Sequence, residues 1–221
     1  MRFDSALERD IPALAALWQE AFDENAGELI GLLLEMGQGF CCREGETITA
    51  MAFALPYAVA SEGDILDGRY LYGVATAKAY RGQGIATELM KCAETELAKQ
   101  GADGLLLMPA NDTLRAFYKQ RGFRNWSAAA EREKGEETPC GAEEYLRLRE
   151  GYLADTAHIF PPKELIERCR FYKSENGCRA ELFGKTAETL PARENGRPYA
   201  MAKPLTARFP EHGFFSFAMD E

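Results

Sequence analysis

Residues 72–87 read Tyr72-Gly73-Val74-Ala75-Thr76-Ala77-Lys78-Ala79-Tyr80-Arg81-Gly82-Gln83-Gly84-Ile85-Ala86-Thr87. Arg69 to Ala77 predicts a strand, and at Gly84 the pattern changes to a helical one in which Ile85, Leu89, Cys92, Ala93 and Leu97 share a face as far as about Gln100. A strand therefore feeds a helix through a loop with two glycines. The first turn of a helix leaves backbone N–H groups unpaired and carries partial positive charge, so such a junction can cradle an anion such as a pyrophosphate. Gly82 and Gly84 permit positive φ and let the backbone come close to phosphate oxygens. Arg81 adds a full charge, Ala86 leaves room, and the Thr87 hydroxyl can add a hydrogen bond. Glycines alone would favour an ordinary strand-to-helix turn. No Lys-Ser or Lys-Thr pair follows Gly84, which excludes a Walker A loop, and a third glycine is missing for a dinucleotide fingerprint.

Outward from this junction the pattern stays legible. Met1 to Ser5 predicts a short strand, and Ile11, Leu14, Leu17, Trp18 and Phe22 predict an amphipathic helix with Asp10 as N-cap and Pro12 in its first turn. A second helix is expected over Ala26 to Met36, stopped by Gly37 and Gly39 through left-handed glycine geometry. Phe40 to Arg43 and Thr47 to Leu55 predict two strands turning at Glu44 to Glu46, with Pro56 closing the second. After the junction, Gly104 to Met108 predicts a buried strand, and Asn111 or Asp112 caps a short helix to Gln120. Gly122 ends that helix before a final strand from Phe123. Strands alternating with helices predict an α/β (α+β) fold with a mixed central sheet and helices on both faces.

A second motif lies in register downstream, Asn111 followed by Tyr118, Gly122 and Phe123. With Arg81, Gly84 and Ala86 filling the pattern Arg or Gln, two residues, Gly, one residue, Gly or Ala, the segment Met1 to Ser127 resembles the GCN5-related N-acetyltransferase (GNAT) family. The resemblance implies acetyl-CoA as co-substrate and transfer of its acetyl group to an amine by direct attack. It implies that backbone groups of Val74, Ala75 and Thr76 hold the pantetheine arm and the thioester carbonyl, at a strand that splays from its neighbour. It further implies that the amides of Gly82, Gln83, Gly84, Ile85, Ala86 and Thr87, beside Arg81, hold the pyrophosphate. Asn111 would contact the pantetheine side, and Tyr118 would serve as general acid at the sulfur. Fixed N–H donors and a phenol proton suit a reaction that builds negative charge on oxygen and then on sulfur. The base is not singled out, since Glu24, Glu44, Glu62, Asp64 and Asp67 are all eligible. Rival readings are a non-catalytic acyl-CoA sensor and, against the acidic charge, an aminoacyl transferase using charged tRNA.

Composition narrows the class. The formal net charge of −9 argues against a nucleic-acid surface. Apolar stretches fall short of the roughly 18–20 residues of a membrane span. The N-terminus lacks a basic-then-apolar leader pattern, so a cytoplasmic location is expected. Six scattered cysteines without a CxxC pair predict reduced thiols and no metal site. Met1 to Asp67 holds 13 acidic and 3 basic residues, whereas Gly68 to Ala128 holds 5 acidic and 9 basic. The acidic segment reads either as a solvated face or as a draw for a cationic acceptor, small molecule or peptide. No reading fixes the oligomeric state.

The composition shifts at Ala128 to Glu144. Three parts are expected: a catalytic domain over 1–128, a linker over 129–144, and a small α+β unit over 145–221. In the last, Tyr145 to Ile159 and Lys163 to Phe171 predict helices, Phe171 to Gly184 a hairpin turning at Asn176 and Gly177, and Tyr199 to Leu205 and Phe214 to Met219 strands. This part resembles the partial second unit of some two-part family members. In certain of those members the terminal carboxylate, here that of Glu221, enters the site as a base; a strand completing the small unit's core is the competing reading.

Overall fold

The computed structural model describes residues 1–131, 136–175, 177–182, 185–190 and 193–215. It begins with β1 (Arg2–Ala6), a 3-10 turn, α1 (Ile11–Phe22), α2 (Gly27–Met36), β2 (Gln38–Glu44), β3 (Thr47–Ser61) and β4 (Asp64–Thr76). The chain continues with α3 (Ile85–Lys99), β5 (Gly104–Leu107), α4 (Asp112–Lys119), β6 (Arg124–Asn125), β7 (Ala128–Glu131) and β8 (Thr138–Cys140). Then follow α5 (Ala142–Leu153), β9 (His158–Phe160), α6 (Lys163–Ile166), β10 (Arg170–Ser174), β11 (Gly177–Leu182), β12 (Lys185–Leu190), β13 (Arg193–Pro198) and β14 (Met201–Pro204).

By compactness the chain forms two units, Met1–Pro56 with Asp67–Leu107, and Tyr57–Leu66 with Met108–Glu221. This division differs from the boundary expected at 128. Within the second unit β14 pairs with β6, and β9 pairs with the far end of β3, so residues 108–128 and the β3–β4 tip group with the C-terminal part.

The first unit is built on strands in the order β1-β2-β3-β4-β5, antiparallel from β1 to β3 and parallel from β4 to β5. Ile48 to Leu55 are all buried, with none of the alternation of a half-exposed strand. Such a run needs cover on both faces, and α2 and α3 both pack against β2 next door. In α1, Leu14, Leu17 and Trp18 are buried, each apolar side chain contributing roughly 1.5–3 kcal/mol on leaving water. Asp10 precedes α1 as expected but makes no cap bond to it. Its carboxylate accepts from the Leu7 amide at 2.9 Å and from Arg43 at 2.6 Å, tying the helix entry to β2.

Two expectations need correction here. Gly37 ends α2 with φ −143, an extended and not a left-handed conformation. Glycine is required for another reason, because a Cβ there would lie 2.4 Å from the Ala54 carbonyl oxygen. Pro56 does not close β3. Pairing with β2 ends at Ala54 and pairing with β9 begins at Ala58, so the proline falls between two ladders, where its missing N–H costs nothing on that edge. The strand then turns into β4 through Glu62 and Gly63, both with positive φ, a hairpin the sequence reading passed over.

In the second unit, β12-β11-β10-β8 form an antiparallel sheet on which α5 packs. The hairpin expected from Phe171 to Gly184 is present as β10 and β11, with Ser174 opposite Gly177; Asn176 lies outside the described residues. The helix expected to reach Ile159 stops at Leu153, and His158–Phe160 is a strand because it adds to the edge of β3. The helix expected to Phe171 is the single turn of α6. Arg149 of α5 is fully buried, donates to Glu188 of β12 at 2.9 and 3.2 Å and to the Ile159 carbonyl at 2.6 Å; Tyr145 also hydrogen-bonds Glu188. Residues 216–221, including Phe217, Met219 and the Glu221 carboxylate, lie outside the described residues.

Candidate functional site

The site grows from the difference in length between two parallel neighbours. β4 and β5 pair at Gly68↔Gly104, Arg69↔Leu105 and Tyr70↔Leu106. β5 ends at Leu107 while β4 runs on to Thr76, so no residue of β5 stands opposite Tyr72 to Thr76. An extended ligand can meet backbone donors and acceptors along that edge. Val74, Ala75 and Thr76 sit there.

Gly73, on this same stretch, has φ +61, and a Cβ on it would lie 2.5 Å from Cζ3 of Trp18. Only glycine satisfies both the left-handed backbone and the close approach of the indole. Trp18 itself is buried against Phe22, Phe53 and Tyr72, with ring centroids 4.7, 6.4 and 5.5 Å away. The Thr76 hydroxyl is buried and has no hydrogen-bond partner among the described residues, so the end of β4 offers a polar atom to a ligand.

Beyond Thr76 the chain makes a 3-10 turn over Lys78–Tyr80 and enters the loop. Three contacts tether it. The Ala77 amide donates to the Thr49 carbonyl at 2.9 Å, the Lys78 amide donates to the Glu20 carboxylate, and the Tyr80 hydroxyl donates to Glu44 at 2.7 Å. That bond to Glu44 raises the Tyr80 pKa. Gly82 and Gly84 have φ +77 and +80, and a Cβ at either would meet nothing within 4 Å. Steric crowding by the described residues is therefore not why glycine stands at either position; the backbone geometry is. Gly84, the N-cap of α3, has no side chain with which to cap it, and the Glu88 amide donates back to the Gly84 carbonyl as the helix begins. The buried side chain of Ile85 roots the helix start in the core. Arg81, Gly82, Gln83 and Gly84 are exposed, while Ala86 and Thr87 are half-buried.

Two sequence-predicted residues sit on α4, in the second unit. Asn111 is its N-cap, with Oδ1 accepting from the Leu114 amide at 3.0 Å, which leaves the Nδ2 amide as what the side chain can give a ligand. Tyr118 is buried, its ring meeting Phe117 and Phe123 edge-on at 5.2 and 5.8 Å. Burial pushes its phenol up to about 12, against a smaller opposing pull from Arg121. A phenol that weak as an acid is better suited to donating a hydrogen bond than to giving up its proton outright.

Several acidic residues of the N-terminal segment are engaged internally. Besides Asp10, Glu20 and Glu44, Asp4 pairs with Arg2 and Arg43, and Asp67 with Arg69. Sequence reasoning did not single out Gly73, Trp18 or Glu20. A glycine inside a predicted strand is the available signal for the first, since it marks close backbone approach; nothing local marks the other two. Among the described residues no group of three or more His, Cys, Asp and Glu is placed to hold a metal ion, and no helix is long and apolar enough to cross a membrane.

Comparison with known proteins follows the same lines. A 2.4 Å crystal structure of a conserved protein from Enterococcus faecalis V583, described as a probable N-acyltransferase, matches at 19% identity and TM-score 0.62 over 81% of this chain and 54% of that one. The chain thus spans about half the length of that protein. A GCN5-related N-acetyltransferase from Kribbella flavida matches at 15% identity and TM-score 0.63, covering 97% and 67%. The ribosomal-protein-S18-alanine N-acetyltransferase of Escherichia coli matches at 17% identity and TM-score 0.53, covering 97% and 99%. At such identities the likeness establishes the fold alone. Comparison with curated proteins gives no match. Residues 2–125, more than half of the chain, match the family described as the acetyltransferase (GNAT) domain, and the chain belongs to that family.

Proposed function

We propose that this protein transfers the acetyl group of acetyl-CoA to an amine by direct attack in a ternary complex. The observation that carries the reading is the β4–α3 junction. A strand edge that runs past the end of β5 leads into two left-handed glycines, neither of which would bring a Cβ within 4 Å of a described atom, and then into a helix whose N-cap is glycine. The chemistry of this junction fits the cofactor in order: peptide-like groups along Val74 to Thr76 for the amides of a pantetheine arm, then amides at Gly82 to Thr87 for a pyrophosphate. The buried Thr76 hydroxyl, without a hydrogen-bond partner among the described residues, closes the first of the two stretches.

In the reaction the amine nitrogen attacks the thioester carbon, the carbon–sulfur bond breaks, and the proton that the nitrogen loses passes through solvent to the departing thiolate. Backbone N–H groups of β4 beyond Gly73 steady the charge that develops on the carbonyl oxygen. Tyr118 donates a hydrogen bond at the sulfur, which leaves as a thiolate of ordinary pKa about 8.5 and needs no strong acid. Holding two reactants together supplies most of the acceleration, roughly 7–11 kcal/mol in favourable cases. Asn111 offers its Nδ2 amide to the pantetheine side. All of these residues fall within 2–125, the segment that matches the acetyltransferase family. The acceptor is an amine, and with several carboxylates of the acidic segment engaged internally its charge narrows the acceptor no further.

The test is release of free thiol from acetyl-CoA across a panel of amines, polyamines, amino sugars and peptide N-termini. Amine-stimulated release is the expected result. Saturable coenzyme binding with no stimulation by any amine would turn the assignment to an acyl-CoA sensor.

A further inference from the structure

The Arg81 guanidinium lies next to a presumed phosphate receptor, and the obvious role for it is a counter-charge. The hydrogen bonding gives it another. Arg81 Nε donates to the Thr76 carbonyl at 3.0 Å, reaching back across the 3-10 turn to the last residue of β4. The Arg81 backbone is extended, with φ −68 and ψ 155, and its amide makes only a long contact of 3.4 Å to the Lys78 carbonyl. The side chain therefore ties the strand end directly to the residue that launches Gly82 and Gly84, both of which have the widest backbone freedom of any residue type.

We propose that Arg81 is a positioning residue that pins the phosphate loop to the end of β4 through its Nε–H, with its charge secondary. The role rests on the function proposed above but can be tested apart from it. The geometry makes a sharp distinction among substitutions. Nε is the fourth side-chain atom of arginine, and Nε2 of glutamine stands at the same distance along the chain, so Arg81→Gln retains a donor at the pinning position while losing the charge. Arg81→Lys retains the charge but puts a methylene there, with its ammonium one bond further out. If the pin matters, glutamine substitutes for arginine and lysine does not; if the charge matters, the order reverses. Without the tie, the loop samples more conformations, and the amides from Gly82 onward must be ordered by the ligand, at a cost in affinity.

The experiment has two arms on the full chain. In the first, amide hydrogen exchange of residues 82–87 is measured without ligand in the native protein and both variants. Exchange should quicken about tenfold in Arg81→Lys and stay within about threefold of native in Arg81→Gln, a single hydrogen bond to a charged donor having that order of effect. In the second, coenzyme A affinity should fall about tenfold in Arg81→Lys and hold within about threefold in Arg81→Gln. Native-like exchange in Arg81→Lys, or glutamine falling as far as lysine in either arm, overturns the pin. Should the native protein bind no coenzyme A, the proposed function fails, while the exchange arm still decides on Arg81.

Discussion

Replacing Gly73 with alanine tests whether the backbone of β4 is shaped by the indole above it. Two costs add. An L-residue held at φ +61 loses about 1–2 kcal/mol relative to glycine. The new methyl would stand 2.5 Å from Cζ3 and 3.2 Å from Cη2 of Trp18, and 3.2 Å from Phe53, overpacking worth about 1–3 kcal/mol. Together G73A should lose about 2–5 kcal/mol, a large share of the roughly 5–15 kcal/mol that keeps a domain folded. The two terms separate in a double-mutant cycle with W18F, which removes the part of the indole that the methyl meets. Urea unfolding of the four proteins should show that G73A costs about 1–3 kcal/mol less in the W18F background, the backbone term persisting. Additivity within about 0.5 kcal/mol would refute the contact as the reason for the glycine.

Four further outcomes follow from particular contacts. For Asp10, burial alone would raise the carboxyl pKa, but the Arg43 hydrogen bond, the Leu7 amide and the charges of Arg43 and Arg9 together hold it below 3.8. A depressed acid stabilises the fold above its unfolded pKa and stops doing so as pH falls through the folded one. D10N should therefore cost about 1.5–3 kcal/mol at pH 7, with the gap to the native protein closing below about pH 4 in pH-dependent denaturation. Burial pushes the Cys41 and Cys178 thiols up to about 11 and that of Cys169 to about 12, whereas Cys92 is exposed. Peptide mapping after brief alkylation at pH 8 should find Cys92 modified well before those three. R149A strands the buried Glu188 carboxylate and should cost about 3–5 kcal/mol in chemical denaturation, with R149M/E188L recovering much of it. Y118F should lower kcat by about ten- to a hundredfold with little change in coenzyme affinity; a fall in affinity and stability instead would make Tyr118 a packing residue.

Local signals carried the first 125 residues well. The helices α1 to α4, the buried β5 and the glycine turn into α3 all show in period, caps and punctuation, because each is decided by residues close in sequence. Pro56 and Gly37 were misjudged for a shared physical reason. Both were assigned their commonest local meaning, while their actual role depends on a distant strand: β9 taking over from β2 beside Pro56, and the Ala54 carbonyl pressing on Gly37. The end of α5 failed likewise, since His158–Phe160 is a strand only because β3 offers it an edge. At the candidate site the proposed phosphate loop is marked in sequence by Arg81, Gly82 and Gly84, and the structure gives both glycines positive φ. The tethers through Glu20 and Glu44 could not, because a carboxylate that accepts from a loop amide looks in sequence like any other surface acid.

The claim on which the functional account stands is that the start of α3 receives the diphosphate of coenzyme A. Titrating coenzyme A into isotopically labelled protein and following backbone amide shifts tests it without depending on the acceptor. The account predicts saturable shifts at Gly82, Gln83, Gly84, Ile85 and Ala86, competed by inorganic pyrophosphate. Saturation with those amides unmoved, or no saturable shift at all, would contradict it.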